Sequence, residues 1–163
     1  DLTRLAVDTL SDAHAAGPNH RWELEVPDEP VVVPGDPARL HQVLANLLAN
    51  ARSHTPDGTA VVLSLTKHAE TATITVRDNG PGISSKLIPD IFERFARGEQ
   101  SRSRTAGSTG LGLAIVAAVV AAHGGRIVVA SQPGDTVFTV SLPLHGNRQG
   151  SPQTLASNAV QAL

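Results

Sequence analysis

Gly107-Ser108-Thr109-Gly110-Leu111-Gly112-Leu113 runs straight into the apolar stretch Ala114 to Ala122, and Gly124-Gly125 ends it. The spacing predicts a helix over residues 110–123 that opens on glycines. Free backbone N–H groups at a helix start favour anions, and glycine lets a phosphate lie against them. The pattern is neither of the common phosphate loops. A P-loop continues Gly-Lys-Ser/Thr, whereas Gly112 is followed by Leu113. A Rossmann loop follows a strand directly and spaces its glycines more widely. Here a polar segment precedes, Ala96 to Thr109, with Gln100-Ser101-Arg102-Ser103-Arg104 and no apolar period. It reads as a long loop of the kind that forms functional lids. Glycines that merely pack a helix start against a sheet would give the same local pattern.

Outward from this stretch, the chain reads as alternating helices and strands. Leu2, Leu5, Ala6, Thr9, Leu10 and Ala13 recur at helical spacing until Gly17-Pro18 stops them. Trp22, Leu24 and Val26 alternate with polar residues as in a half-buried strand, and Val31 to Val33 is a short extended piece between prolines. Asp36-Pro37 is an N-cap with proline at the first helical position. The helix that follows carries Leu40, Val43, Leu44, Leu47, Leu48 and Ala51 on one face. Pro56-Asp57-Gly58 is a turn, and Val61–Thr66 and Thr71–Arg77 form a strand pair. A shorter helical segment is expected from about Ser85 to Arg94, interrupted by Pro89, and strands at Arg126–Ser131 and Thr136–Leu142 flank a turn at Pro133-Gly134-Asp135. The pattern predicts an α+β, two-layer α/β sandwich, a mixed sheet of about five strands packed on about three helices. The expected domain covers residues 1–144. The Ser-, Gln-, Asn- and Gly-rich residues 145–163 are expected to be a disordered tail.

Composition narrows the function. The 163 residues suit one domain, and the absence of cysteine removes disulfide frameworks and Cys-based zinc sites. With 13 basic and 15 acidic residues, the net charge of −2 argues against a nucleic-acid partner. The longest apolar run, Leu113 to Ala122, is too short to cross a membrane. The chain starts at Asp1 inside a helical pattern, so it is expected to be a fragment of a longer protein.

Two more constellations carry chemistry. Gln42, Asn46, Asn50 and His54 recur every four residues, about one helical turn, and form a polar stripe. Such amides cap neighbouring backbone or face water; their oxygens are equally hard ligands suited to Mg²⁺ shared with phosphates. Asp78-Asn79-Gly80-Pro81-Gly82-Ile83 follows a strand. Its glycines let the backbone turn tightly against a flat ligand, and an aspartate at a strand end can accept a hydrogen bond from an exocyclic amine such as adenine's. An ordinary strand-to-helix turn would use the same residues.

Taken in order, four motifs resemble those of histidine kinases. Asn46-Leu47-Leu48-Ala49-Asn50-Ala51 resembles the N box, and Asp78 to Ile83 the first glycine box. Ile91-Phe92-Glu93-Arg94-Phe95 resembles the F box, and Thr109 to Val116 the second glycine box. The similarity runs from the first helix to about Pro143 and lies nearest to actinobacterial sensor kinases within the gyrase/Hsp90/histidine kinase/MutL group. It implies the Bergerat-type ATP-binding fold, with ATP and Mg²⁺ as cofactors. By motif match, Asn50 would be the principal Mg²⁺ ligand, with Asn46 beside it at the phosphates. Asp78 would bind the adenine amine, with Gly80, Gly82 and Ile83 shaping the base pocket. Gly110, Leu111, Gly112 and Leu113, with Thr109, would line the phosphates. Phe92 and Phe95 would anchor a mobile lid, and Arg94, Arg97, Arg102 and Arg104 would be the nearest cations. His54 is the one histidine expected to face the nucleotide.

Two positions depart from the family pattern. Where a Lys or Arg often stands three places past the second Asn, this chain has Ser53, with Arg52 one place early, and Ser108 replaces the usual Gly before the Thr. None of His14, His20, His41, His54, His68, His123 or His145 lies in the His-Glu/Asp-x-Arg-x-Pro context of a phosphoacceptor. The resemblance therefore implies a domain that donates the γ-phosphoryl group of ATP to a histidine on a separate dimerisation domain of the same parent, from which it passes to a response-regulator aspartate. The isolated domain is expected to be monomeric, and its parent a homodimer anchored in the inner membrane with this domain in the cytoplasm. The alternatives are an anti-sigma-factor-like serine kinase, which the F box disfavours, a nucleotide-binding regulatory module without turnover, and a gyrase-type ATP-gated clamp.

Overall fold

The computed structural model describes residues 1–93 and 110–146. The first helix, α1 (Leu2–Ala16), starts where the Asp1 carboxylate accepts the Arg4 N–H at 2.9 Å. The first strand, β1, spans Arg21–Glu25. Next comes α2 (Pro37–His54), where the Asp36 carboxylate accepts from the Ala38 and Arg39 amides and satisfies two of the donors that a helix start leaves free. The hairpin β2 (Ala60–His68) and β3 (Thr71–Asp78) follows. After it come α3 (Gly112–Ala122), β4 (Arg126–Gln132) and β5 (Asp135–Pro143).

The strands form one sheet in the order β1-β2-β3-β5-β4. Because α2 carries the chain back across the sheet, β1 and β2 run parallel, whereas the remaining neighbours are antiparallel. The expected two-layer α+β sandwich, five strands with three α-helices among the described residues, is what the chain adopts.

Burial alternates along the central strands as a half-covered sheet requires. Val61, Leu63 and Leu65 of β2, Ala72, Ile74 and Val76 of β3, and Phe138, Val140 and Leu142 of β5 are buried. They share one cluster with Leu40, Val43, Leu44, Leu47, Leu48 and Ala51 of α2 and with Val116 and Val120 of α3. The opposite parity, including Ser64, Thr73, Thr75 and Thr139, stays half-exposed. Val31 lies outside the sheet, yet it is fully buried. Its carbonyl accepts the Leu2 N–H at 2.8 Å and its N–H donates to Thr3 Oγ1 at 3.0 Å, which pins the start of α1.

Two expected helices are shorter than their sequence pattern. Among the described residues of the 85–94 segment, only Ile88–Asp90 coils, as a 3-10 turn, because Pro89 supplies no N–H and its ring blocks an α-helical continuation. The other is α3, which begins at Gly112 rather than Gly110. Gly110 takes a left-handed φ of 68°, so the chain turns there before the helix can start.

Phe138 is 2 % exposed and meets Phe92 edge-on at 6.4 Å between ring centroids. Phe138→Ala should therefore cost about 3–5 kcal/mol of unfolding free energy in a urea titration. A loss below about 1 kcal/mol would contradict this packing.

Candidate nucleotide site

The alternation that builds the core delivers a charged group into it. Along β3 the inward parity runs Ala72, Ile74, Val76 and then Asp78, which is only 6 % exposed. Asp78 sits opposite Val61 of β2 and Thr136 of β5. Its Oδ1 accepts the Gly80 N–H at 2.9 Å. Burial pushes the Asp78 carboxyl above the ordinary carboxylate range; the Gly80 N–H pulls the other way, and the charge of Asp135 adds a smaller upward push. Asp135 is itself gripped by Arg77, Nε to Oδ1 at 2.7 Å and Nη2 to Oδ2 at 3.2 Å.

The turn after Asp78 is latched on both sides. Asn79 exchanges hydrogen bonds with the Ala60 backbone, its Oδ1 accepting at 2.8 Å and its N–H donating at 3.2 Å. The Gly80 carbonyl accepts the Gly134 N–H at 2.8 Å. Ile83 N–H donates to Ser131 Oγ at 2.8 Å, and that oxygen lies 2.7 Å from Thr136 Oγ1. Gly82 has a φ of +83°, and a Cβ there would lie 2.8 Å from the Gln132 carbonyl carbon, so any side chain would break the latch.

A cleft open to solvent lies between this turn and the last turns of α2. Asn50, Ala51, His54 and Thr55 form one wall, Pro81, Gly82 and Ile83 the other, and Asp78 and Thr136 are among its lining residues. The polar stripe of α2 thus splits by position. Asn50 and His54 reach the cleft. Asn46, one turn earlier, donates its Nδ2 to the Gly112 carbonyl at 3.3 Å. A carbonyl can only accept, so Nδ2 is the atom that faces Gly112, and the amide oxygen of Asn46 is turned away from it and able to meet a ligand. Gln42 instead accepts from Arg39 Nη1 at 3.3 Å.

Asn46 thereby joins α2 to the start of α3, where Gly110, Leu111, Gly112 and Leu113 lie. Among the described residues no side chain caps that helix, and its first-turn N–H groups have no intrahelical partner. Phe92 packs on Phe138 in the core rather than lining the cleft. Arg94, Phe95, Arg97, Arg102, Arg104, Thr109 and the expected lid Ala96 to Thr109 lie outside the described residues, as does the tail from residue 147.

Sequence reasoning missed Thr136 and Thr55. Thr136 had a signal: it is a threonine on the inward parity of a strand that otherwise buries Phe138, Val140 and Leu142. Its position opposite Asp78 depends on sheet register.

Residues 35–146 match the family described as the histidine kinase-, DNA gyrase B- and HSP90-like ATPases. The chain belongs to this family. It is 62 % identical over 146 residues to the probable sensor histidine kinase TcrY of Mycobacterium tuberculosis, an alignment that covers 90 % of this chain and 31 % of TcrY. The chain thus spans about a third of that relative's length. The structure of the mycobacterial sensor histidine kinase MprB superimposes with a TM-score of 0.78 at 32 % identity, over 90 % of this chain and 97 % of that one. Full-length ShkA in complex with AMPPNP matches with a TM-score of 0.75 at 27 % identity, over 90 % of this chain and 30 % of that one.

The fold is accordingly the Bergerat ATP-binding fold, and the chain is the ATP-binding catalytic domain of the histidine-kinase branch, with the actinobacterial likeness that its motifs implied. Among the described residues of this ATPase domain, no helix is long and apolar enough to cross a membrane.

The buried carboxyl makes a testable trade. Because the pKa of Asp78 is raised on folding, the native state holds its proton more tightly than the unfolded chain does. Stability therefore falls as pH rises from the ordinary carboxylate range through the raised value, and the cost persists above it. Asp78→Asn keeps an oxygen for the Gly80 N–H but cannot ionise. It should raise the melting temperature of the nucleotide-free domain at neutral pH and leave it nearly unchanged at acidic pH. A variant less stable than wild type at neutral pH would refute this electrostatic reading.

Proposed function

We propose that this domain binds MgATP in the cleft between α2 and the turn after β3, and donates the γ-phosphoryl group to a histidine on a dimerisation domain of the same parent protein. The single observation that carries this reading is the juxtaposition of the buried Asp78 with Asn50 across one cleft, next to an α3 start held by Asn46. A carboxylate at the floor accepts the adenine amine. Gly80, Gly82 and Ile83 leave room for the flat base, and His54 and Thr55 close the other side. The helix-start N–H groups beyond Gly110, at Leu111, Gly112 and Leu113, suit phosphate oxygens. Full-length ShkA, which shares this fold and has AMPPNP bound, supports this reading.

Mg²⁺ fits the donor set. Among the described residues no group of three or more His, Cys, Asp or Glu side chains could hold a metal ion. Amide oxygens from Asn50 and Asn46 suit a hard cation that shares its coordination with phosphates rather than sitting in an all-protein cage. Such an ion supplies charge neutralisation at the phosphate oxygens. The residues of this chain contribute positioning: Asp78 orients the base, and Asn46 holds the α3 amides in place. We assign Phe92 and Phe95 to the base of a lid and Arg94, Arg97, Arg102, Arg104 and Thr109 to the phosphate side, by motif match. The base that activates the acceptor belongs with the acceptor histidine. A response regulator as final recipient, a homodimeric parent and membrane anchoring complete the proposal.

The direct test supplies γ-radiolabelled ATP to this domain alone and with its dimerisation domain added in trans. Alone it should stay unlabelled. With the partner, an acid-labile, alkali-stable label should appear on the partner and rise steeply with partner concentration, because the covalent link that would give a millimolar-order effective concentration is absent. Stable labelling of this domain on serine or threonine would instead establish the serine-kinase alternative.

Asn50→Ala should lower phosphotransfer by at least about 100-fold, since charge stabilisation by a metal is worth several kcal/mol. Adenosine affinity should change by less than about threefold, because the base contact lies elsewhere. Wild-type transfer by a folded Asn50→Ala protein would overturn the metal assignment.

A further inference from the structure

His20 is the one buried histidine among the described residues, 7 % exposed, and nothing in the reaction above uses it. It sits in a rigid corner ahead of β1. Its N–H donates to the Gly17 carbonyl at 3.2 Å, and the next residue, Arg21, donates to the Thr59 carbonyl at 2.9 Å. Its ring lies 5.7 Å from that of Trp22, whose Nε1 also donates to the Gly17 carbonyl, at 2.8 Å. Asn19 locks the same corner to the turn after α2, its Nδ2 reaching Asp57 at 2.9 Å and its carbonyl accepting the Gly58 N–H at 2.8 Å.

From this corner His20 reaches Thr55, one of the residues that line the cleft. Its Nε2 lies 2.9 Å from Thr55 Oγ1. The Thr55 hydroxyl donates its single proton to the Ala51 carbonyl at 2.7 Å. That hydroxyl therefore has only lone pairs left for His20, and Nε2 must carry the hydrogen. With both ends of the hydroxyl engaged, the Thr55 rotamer is locked, and so is the direction of its methyl group.

The methyl group points at the base-binding turn. A Cβ added to Gly80 would lie 2.6 Å from Thr55 Cγ2 and 2.8 Å from Asp78 Oδ1. Thr55 and the Asp78 carboxylate thus crowd the same side of Gly80, whose N–H holds that carboxylate at 2.9 Å. The contacts form one chain from β1 to the floor of the cleft: His20 fixes Thr55, Thr55 braces Gly80, and Gly80 aims Asp78.

We infer that His20 is a positioning residue for base recognition, fixing Thr55 against the Gly80–Asp78 turn so that the cleft discriminates adenine from guanine. The inference rests on the reading of this cleft as the ATP site. A side chain that only filled the corner would affect stability and leave base discrimination alone.

Calorimetry of ADP and GDP, with thermal unfolding, on wild type, His20→Gln, His20→Leu, Thr55→Val and the His20→Leu/Thr55→Val pair decides between these roles. His20→Gln, which restores an amide donor, should keep the wild-type ratio of ADP to GDP affinity. His20→Leu and Thr55→Val should each weaken ADP about fivefold to tenfold, the size of one neutral hydrogen bond, with GDP little changed. The pair should be no worse than either single variant, because both break the same contact. Folded single variants that keep the wild-type ratio, whatever their melting temperatures, would overturn the inference. If His20→Leu does not fold, Thr55→Val decides by the same criterion. Failure of wild type to bind ADP at all would instead refute the reading of the cleft.

Discussion

A carboxylate on the core side of a central strand is the constraint around which the rest of this domain is arranged. Asp78 continues the inward parity of Ala72, Ile74 and Val76, so the sheet takes it out of water along with them. An ionised group so placed needs compensation. The Gly80 N–H supplies part of it, and the charge of Asp135 works against it. Arg77 holds Asp135 in a forked pair on the exposed side of the same strands. The carboxylate stays under-compensated in the free domain, which is the condition in which a ligand bearing an N–H donor gains most from binding there.

The topology brings the partners of that carboxylate together. With α2 as the crossover between parallel β1 and β2, its last turns lie beside the end of β3, and Asn50, His54 and Thr55 share one cleft with Asp78. The β4–β5 hairpin closes the other side. Gly134 and Ser131 hold the turn at Gly80 and Ile83, and Thr136 lies next to Asp78 in register. Asn46 then couples this end of the cleft to α3 through the Gly112 carbonyl. In the proposed reading, recognition of the base and presentation of the phosphate-side amides share one helix, α2.

Most of this architecture was legible in the sequence because it rests on local chemistry. The four-residue spacing of Asn46, Asn50 and His54, the glycines after Asp78 and the glycines before α3 each have a local reason, and together they identified the family. The errors are equally local. The apolar residues around Pro89 suggested a helix that the proline reduces to a 3-10 turn, and Gly110 continued a helical pattern that its left-handed φ breaks. What could not be read depends on register and on approach through space. Thr136 gains its place from pairing with β3, and His20 gains its from a corner that meets Thr55 across 35 positions of chain. Strand parity marks Thr136 as inward-facing, but no periodicity in the sequence marks its pairing with Asp78 or the contact of His20 with Thr55.

The proposed reading of the exocyclic amine of adenine by Asp78 is open to calorimetric titration of the wild-type domain with MgATP and with MgGTP under the same conditions. Guanine carries a carbonyl oxygen where adenine carries its amine, so two acceptors would face each other at Asp78 and the buried carboxylate would lose its donor. GTP should bind at least about 10-fold more weakly than ATP, and up to about 100-fold. Equal affinities for the two nucleotides would contradict it.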